Sequence, residues 1–132
     1  MVKKNSEVKF SIINETKGRL YSLPFNFVKN KILGKKYDLS LVFIGEKKIH
    51  SLNKKYRKMD FPTDILSFVL SKKSGEIFIC PKIARSEAKK FHKNEKDFIF
   101  SLFIHGLVHL LGFNHGNKME KMEAKYGKIF KI

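Results

Sequence analysis

Apolar and polar residues follow one another along the first half of the chain in patterns that predict strands and helices in alternation. Residues 8–13 alternate enough for a first strand. Pro24 and Gly34 bracket a short helix, since proline suits the start of a helix and glycine the residue after its end. Residues 37–44 predict a buried strand. Residues 45–56 predict a helix, because their apolar side chains recur at spacings of three and four on one face.

The second half of the chain begins with a strand pair and then becomes helical. Apolar runs at residues 65–70 and 76–80 are separated by a polar, glycine-containing segment, which predicts a hairpin after a loop at 60–64. The period is helical from there to the end, with a long apolar stretch at 98–111. This order predicts the α/β class, one mixed sheet with helices packed on it. No linker or repeat divides the chain, so we expect a single domain over residues 1–132.

The charge balance favours a polyanionic partner. The chain carries 28 Lys and Arg against 12 Asp and Glu, a formal net charge of +16. Such an excess is typical of proteins that bind nucleic acid. Only three of the basic residues are arginines, Arg19, Arg57 and Arg85. A compositional bias toward lysine is therefore a second source of the excess, although nucleic acid remains the favoured interpretation.

Composition also excludes several classes of protein. A hydrophobic content of 42% is too high for a disordered chain. No apolar run of about 18 residues occurs and the N-terminus carries no apolar signal core, so we expect a soluble cytoplasmic protein with no membrane partner. Cys80 is the single cysteine. It excludes an internal disulfide and a cysteine-rich zinc finger, and we expect no disulfide-linked partner. Any metal must then be held by histidine or carboxylate.

Three of the five histidines fall in one segment near the C-terminus. His105 and His109 are four residues apart in the most apolar predicted helix, so their rings project from one face. Gly112 is suited to end that helix, and a turn there brings His115 back toward the same point. Three neutral imidazoles leave a fourth position for water, which is the form of a catalytic zinc site.

The alternative interpretation is that these histidines are hydrogen-bonded core residues, as lone histidines usually are. Burying two imidazoles in an apolar helix without a shared partner costs several kcal/mol, roughly, which favours a metal. His50 and His92 are isolated in lysine-rich helices and are expected to be solvated. The metalloprotease pattern H-E-x-x-H has the same histidine spacing, but Gly106 stands where it has glutamate. Peptide hydrolysis by that mechanism is therefore not expected.

The histidine segment also carries a family resemblance. His105 to His115 reads HGLVHLLGFNH and is similar to the H-G-x-L-H-L-x-G-Y-D-H signature of the YbeY family, bacterial single-strand-specific endoribonucleases and ribosomal RNA maturation factors. Residues 52–57 (LNKKYR) and 62–68 (PTDILSF) resemble that family's L-N-x-x-Y-R and P-T-D-V-L-S-F elements. Residues 75–79 (GEIFI) resemble its G-D-I-x-I strand. The blocks occur in the family's order.

The resemblance implies a mixed four-stranded sheet with helices and one zinc ion on His105, His109 and His115. It also implies that Arg57 takes the place of the family's essential arginine. A guanidinium grips phosphate oxygens in pairs and stabilises added negative charge, which gives Arg57 a catalytic role. The implied function is cleavage of single-stranded RNA in rRNA maturation and ribosome quality control. Its partners are expected to be rRNA and the small ribosomal subunit.

Two departures from the family pattern keep another function open. Asn114 stands where the family commonly has aspartate, so any proton transfer by that carboxylate is lost. Val108 replaces a leucine, a change of packing only. The alternative is a ribosome assembly factor that binds RNA, holds a mainly structural zinc and has little or no catalysis. A metallohydrolase acting on another substrate is a third hypothesis.

Other residues are weaker candidates for chemistry. Asp60, Asp64 and Glu76 each supply a general base if their loop or hairpin borders the metal, although acids beside turns are more often capping residues. Phe61 and Phe68 are candidates for stacking on bases. The default interpretation of both phenylalanines is core packing.

Overall fold

A computed structural model describes residues 9–112 and 116–130, which form four strands and five helices. In chain order these are β1 (Phe10–Asn14), α1 (Phe25–Leu33), β2 (Asp38–Phe43), α2 (Glu46–Arg57), β3 (Ile65–Ser71), β4 (Ser74–Ile79), α3 (Pro81–Lys90), α4 (Glu95–Leu110) and α5 (Asn117–Phe130). The α/β class with helices on one mixed four-stranded sheet is confirmed.

The sheet has the strand order β1-β2-β4-β3. β1, β2 and β4 are parallel, and β3 runs antiparallel to β4 at the edge. Leu41 lies at the centre, paired with Ile12 on one side and Ile77 on the other. β3 and β4 form the expected hairpin, but β4 begins at Ser74, earlier than the apolar run suggested. The hydroxyls of Ser71 and Ser74 are 2.6 Å apart and close a short turn.

The main core lies between one face of the sheet and α4. Leu39, Leu41 and Phe43 alternate along β2 and are almost fully buried against Phe103 and Leu107 of α4. α1, α3 and α5 also contact α4. Because neighbours surround it, α4 carries apolar residues on most of its circumference rather than in one stripe.

A smaller cluster covers the opposite face of the sheet beneath α2. Val42, Ile44, Ile49 and Leu66 are buried there together with Cys80. Burial raises the pKa of the Cys80 thiol, so this residue is an apolar packing group as the sequence predicted. The sheet therefore has helices on both faces, with α4 on one and α2 on the other. Among the helices of residues 9–112 and 116–130, none has the length and apolar character needed to cross a membrane.

Candidate functional site

A cleft of about 460 Å³ opens where α2 ends, β3 begins and α4 passes beneath. The residues that line it come from all three elements and from the loop between α2 and β3: Asn53, Arg57, Met59, Phe61, Thr63, Asp64, Ile65, Leu66, Ser67, His105 and His109. Sequence positions more than fifty residues apart thus meet in one concave surface. Ligand sites in α/β proteins commonly occupy such clefts at the ends of strands.

α4 contributes both of its histidines to this cleft. His105 and His109 are half-buried and one turn apart, as their spacing predicted. Gly106, directly after His105, faces the sheet instead. A Cβ on Gly106 would lie 2.9 Å from Ile77 Cδ1 and 3.0 Å from Ser67 Oγ. Glycine therefore allows α4 to approach the strands closely. A glutamate side chain, which metalloproteases have at this position, has no space here.

The ring of His105 is held by a second helix. Its Nδ1 hydrogen-bonds to the carboxylate of Glu123, which comes from α5. A neutral imidazole that donates from Nδ1 carries its lone pair on Nε2, and a carboxylate in this role is common behind histidines that ligate metals. The chemistry of these donors therefore fits zinc, which histidine nitrogens commonly bind. No sequence pattern pointed to Glu123, because only the packing of α5 on α4 brings it to His105.

The third predicted ligand, His115, lies outside the described residues, as does Asn114. Within residues 9–112 and 116–130, no group of three or more His, Cys, Asp or Glu side chains is arranged to hold a metal ion. His105 and His109 are thus the described part of the predicted metal site. The complete ligand set of His105, His109 and His115 stays a prediction.

Arg57 reaches the cleft from the last turn of α2. Its Nη2 donates a hydrogen bond to the carbonyl oxygen of Ser67 at 2.5 Å, and its Cζ lies 5.0 Å from the centre of the Phe68 ring. Both contacts are to β3, so the guanidinium is held across the gap between helix and strand. The structure therefore brings Arg57 to the same cleft as His105 and His109.

The three acidic candidates separate clearly in space. Asp64 is half-buried in the cleft, and its pKa is raised, first by burial and then by the charge of Glu87. Asp60 is exposed and accepts a hydrogen bond from His50 at 2.8 Å, which together with Lys54 lowers its pKa. Glu76 lines a different groove, so among these three acids only Asp64 shares the cleft with Arg57 and the histidines.

The default interpretation of Phe61 was wrong. Its side chain is 52% exposed because it lies in the loop before β3 and not on the strand, where alternation would have buried it. Phe68 does pack as expected, edge-on against Tyr56 and Phe78. Asn53 is buried, and its side chain donates to the carbonyl of Phe61 at 2.9 Å. Asn53 is the second residue of the L-N-x-x-Y-R element that residues 52–57 resemble, but no role for its side chain was predicted from the sequence.

Comparison with known proteins shows which family this chain belongs to. Residues 3–131 match the sequence profile of a family described as "Endoribonuclease YbeY". The chain belongs to the YbeY family. Among its YbeY relatives, the protein of Ureaplasma parvum is 37% identical over 122 residues, 80% of this chain and 78% of the relative. The protein of Aliarcobacter butzleri is 35% identical over 108 residues, 77% of this chain and 76% of the relative.

Other YbeY relatives match over a smaller share of their length. The protein of Thermotoga petrophila is 33% identical over 92 residues, 68% of this chain and 61% of the relative. The chain therefore spans about three fifths of that relative's length. A solved solution structure of a Thermotoga maritima protein is 28% identical and superposes with a TM-score of 0.64, over 89% of this chain and 85% of that one. This likeness supports the fold described above.

Proposed function

We propose that this protein is an endoribonuclease that cuts single-stranded RNA in the cytoplasm, with ribosomal RNA of the small subunit as its substrate. The observation that carries the proposal is the meeting of Arg57, Asp64, His105 and His109 in one cleft of a strongly basic YbeY-family chain. A guanidinium that binds phosphate, a carboxyl group that transfers a proton and imidazoles that hold a metal are groups suited to phosphodiester cleavage.

The proposal includes one zinc ion held by His105, His109 and His115. Bound there, zinc would supply Lewis acidity toward a phosphodiester and would lower the pKa of a water molecule. Glu123 holds the His105 ring in the tautomer that such a site needs. The metal is thus assigned to His105 and His109, which line the same cleft as Arg57, together with His115.

Arg57 is assigned the role of holding the scissile phosphate. Its contact with Ser67 and its position over Phe68 fix the guanidinium before substrate arrives, so little ordering is needed during the reaction. A guanidinium in this position stabilises the extra negative charge of the transition state. Asp64 is assigned proton transfer, because a carboxyl group with a raised pKa carries a proton nearer to neutral pH than an ordinary aspartate does.

The test is cleavage of a single-stranded RNA by zinc-loaded protein, by chelated protein and by an Arg57→Ala variant whose zinc content is measured. We expect cleavage to require zinc and kcat/KM to fall about 10²–10³-fold in Arg57→Ala with zinc retained. Arg85→Ala is the matched control, since Arg85 lies on α3 and pairs with Glu95 at 3.0 Å, outside the cleft. It is expected to cut at the wild-type rate.

Two results would reject this function. Equal activity of Arg57→Ala and wild type would remove the arginine from the mechanism. Zinc-loaded protein that binds RNA but cuts it no faster than a His105→Ala variant would favour the assembly factor, the alternative suggested by Asn114 in place of the family's aspartate. His105→Ala is therefore prepared beside the Arg57→Ala and Arg85→Ala variants.

A further inference from the structure

Large apolar side chains are exposed beside Arg57, in the last turn of α2 and in the loop that follows it. Tyr56, Met59 and Phe61 are 55%, 48% and 52% exposed within six consecutive positions. The Tyr56 ring is occupied by Phe68, at 5.5 Å between ring centres. Met59 and Phe61 instead line the cleft. An exposed aromatic ring beside a basic cleft is available to a ligand, whereas a packed ring is not.

The loop that presents Phe61 is held in place by Asn53. The Asn53 side chain donates to the Phe61 carbonyl at 2.9 Å, and its backbone carbonyl accepts from the Met59 N–H at 3.2 Å. Lys58 turns the chain with a left-handed backbone, φ 60°. Asn53 itself is only 4% exposed. The two hydrogen bonds of the buried Asn53 therefore hold the backbone of the loop in the conformation that leaves Phe61 exposed.

The charges around this loop select the kind of ligand. Lys54, Lys55 and Lys58 are exposed next to Arg57. The one carboxylate of the loop between Arg57 and Pro62, Asp60, hydrogen-bonds to His50 and lies 3.8 Å from Lys54, so cations outnumber carboxylates there. Aromatic rings among basic residues are how proteins without sequence preference bind single strands, because each base stacks while its phosphate meets a cation. A base paired within a duplex is already stacked on both faces and has no face to offer.

We infer that Phe61, with Met59 beside it, is a stacking site for an unpaired nucleobase of RNA whose neighbouring phosphate is held by Arg57. The inference rests on the proposed function and deepens it. It assigns selection of single strands to the loop after α2, separately from the histidines that are assigned to the metal. A strand bound in this way reaches the cleft with its base on the rim and its backbone on the floor.

The chain contains no tryptophan, which allows a direct test with one reporter. Phe61→Trp places a lone indole at the proposed site, and Phe91→Trp places one at the end of α3, where Phe91 is 61% exposed and stacked on Phe98. Each zinc-loaded variant is titrated with a 2′-O-methylated single-stranded oligonucleotide and with its duplex. We expect saturable quenching of Phe61→Trp by the single strand only, and none of Phe91→Trp.

Affinity measured by anisotropy of the labelled oligonucleotide separates the inference from the proposed function. We expect Phe61→Ala to bind the single strand about 5- to 100-fold more weakly, Phe61→Tyr to bind as wild type, and duplex affinity to stay unchanged. Single-strand binding without quenching, or equal quenching by duplex, would overturn the stacking site and leave the proposed function standing. No binding by any variant would overturn both.

Discussion

At the scale of single residues, Glu123 shows how one contact sets the chemistry of another side chain. Its carboxylate holds His105 Nδ1 from a helix more than a dozen positions further along the chain. Because a negative partner orients the ring and raises the basicity of the other nitrogen, losing it weakens a metal bound there.

We therefore predict that Glu123→Ala lowers zinc affinity about 10–100-fold, measured by competition with a chelator of known affinity. The zinc affinity of Glu123→Gln should lie between those of wild type and Glu123→Ala, since its amide oxygen accepts the same hydrogen bond without the charge. Glu120→Ala is the matched control, an exposed glutamate one turn earlier on α5. If Glu120→Ala and Glu123→Ala lose the same affinity, only net charge matters and the positioning role is wrong.

Asp64 gives a second prediction at this scale, in metal-free protein. Burial raises its pKa in the folded state, so folding favours the neutral form. Stability is then lost as pH rises from the ordinary aspartate range, about 3.9, through the raised pKa, and the loss is complete above it. Asp64→Asn should accordingly unfold at a higher urea concentration than wild type at pH 7 and equally at about pH 3.

Asp60→Asn is the control with the opposite sign. The hydrogen bond from His50 lowers the pKa of Asp60, so the carboxylate stabilises the fold above the ordinary aspartate range and this contribution is lost as pH falls. Asp60→Asn should therefore gain nothing at pH 7. Identical urea midpoints for Asp64→Asn and wild type at neutral pH would show that burial of Asp64 costs the fold nothing.

At the scale of the helices and strands, local pattern predicted most elements and the β3–β4 hairpin, but not the other strand pairs. The helix expected between Pro24 and Gly34 is α1, Phe25–Leu33, because proline and glycine fix helix ends through local geometry. The pairing of β2 with β4 joins Asp38 to Ser74 and leaves β3 at the edge. That choice depends on long-range packing, for which no short window of sequence carries a signal.

The candidate site divides in the same way. His105 and His109 were predictable because four residues of helix fix their common face, and Arg57 because its surroundings match a family motif. The selection of Asp64 among three acids, and the direction of Phe61, required the position of the loop against α4. Positions set within one element could be predicted from the sequence. Positions set by contacts between elements could not.

At the scale of the whole molecule, a net charge of +16 raises the question of which lysines meet RNA. Lys54, Lys55 and Lys58 adjoin the cleft, at the end of the sheet where β4 finishes and β3 begins. Another exposed set, Lys31, Lys35 and Lys36, comes before β2 and lies toward the opposite end of the strands. Changing either triplet to glutamine removes the same charge, so position alone separates the two variants.

Salt dependence measures the phosphates each triplet neutralises. For single strands, log K falls against log salt with a slope of about −0.7 for each phosphate contacted, because bound counterions are released. We predict that the Lys54, Lys55 and Lys58 triple variant reduces the slope by about 2, whereas the Lys31, Lys35 and Lys36 variant keeps the wild-type slope. Affinities for a single-stranded oligonucleotide over a range of KCl concentrations decide the matter. An equal reduction of the slope in both variants would mean that RNA binding depends on the total charge and not on the lysines beside the cleft.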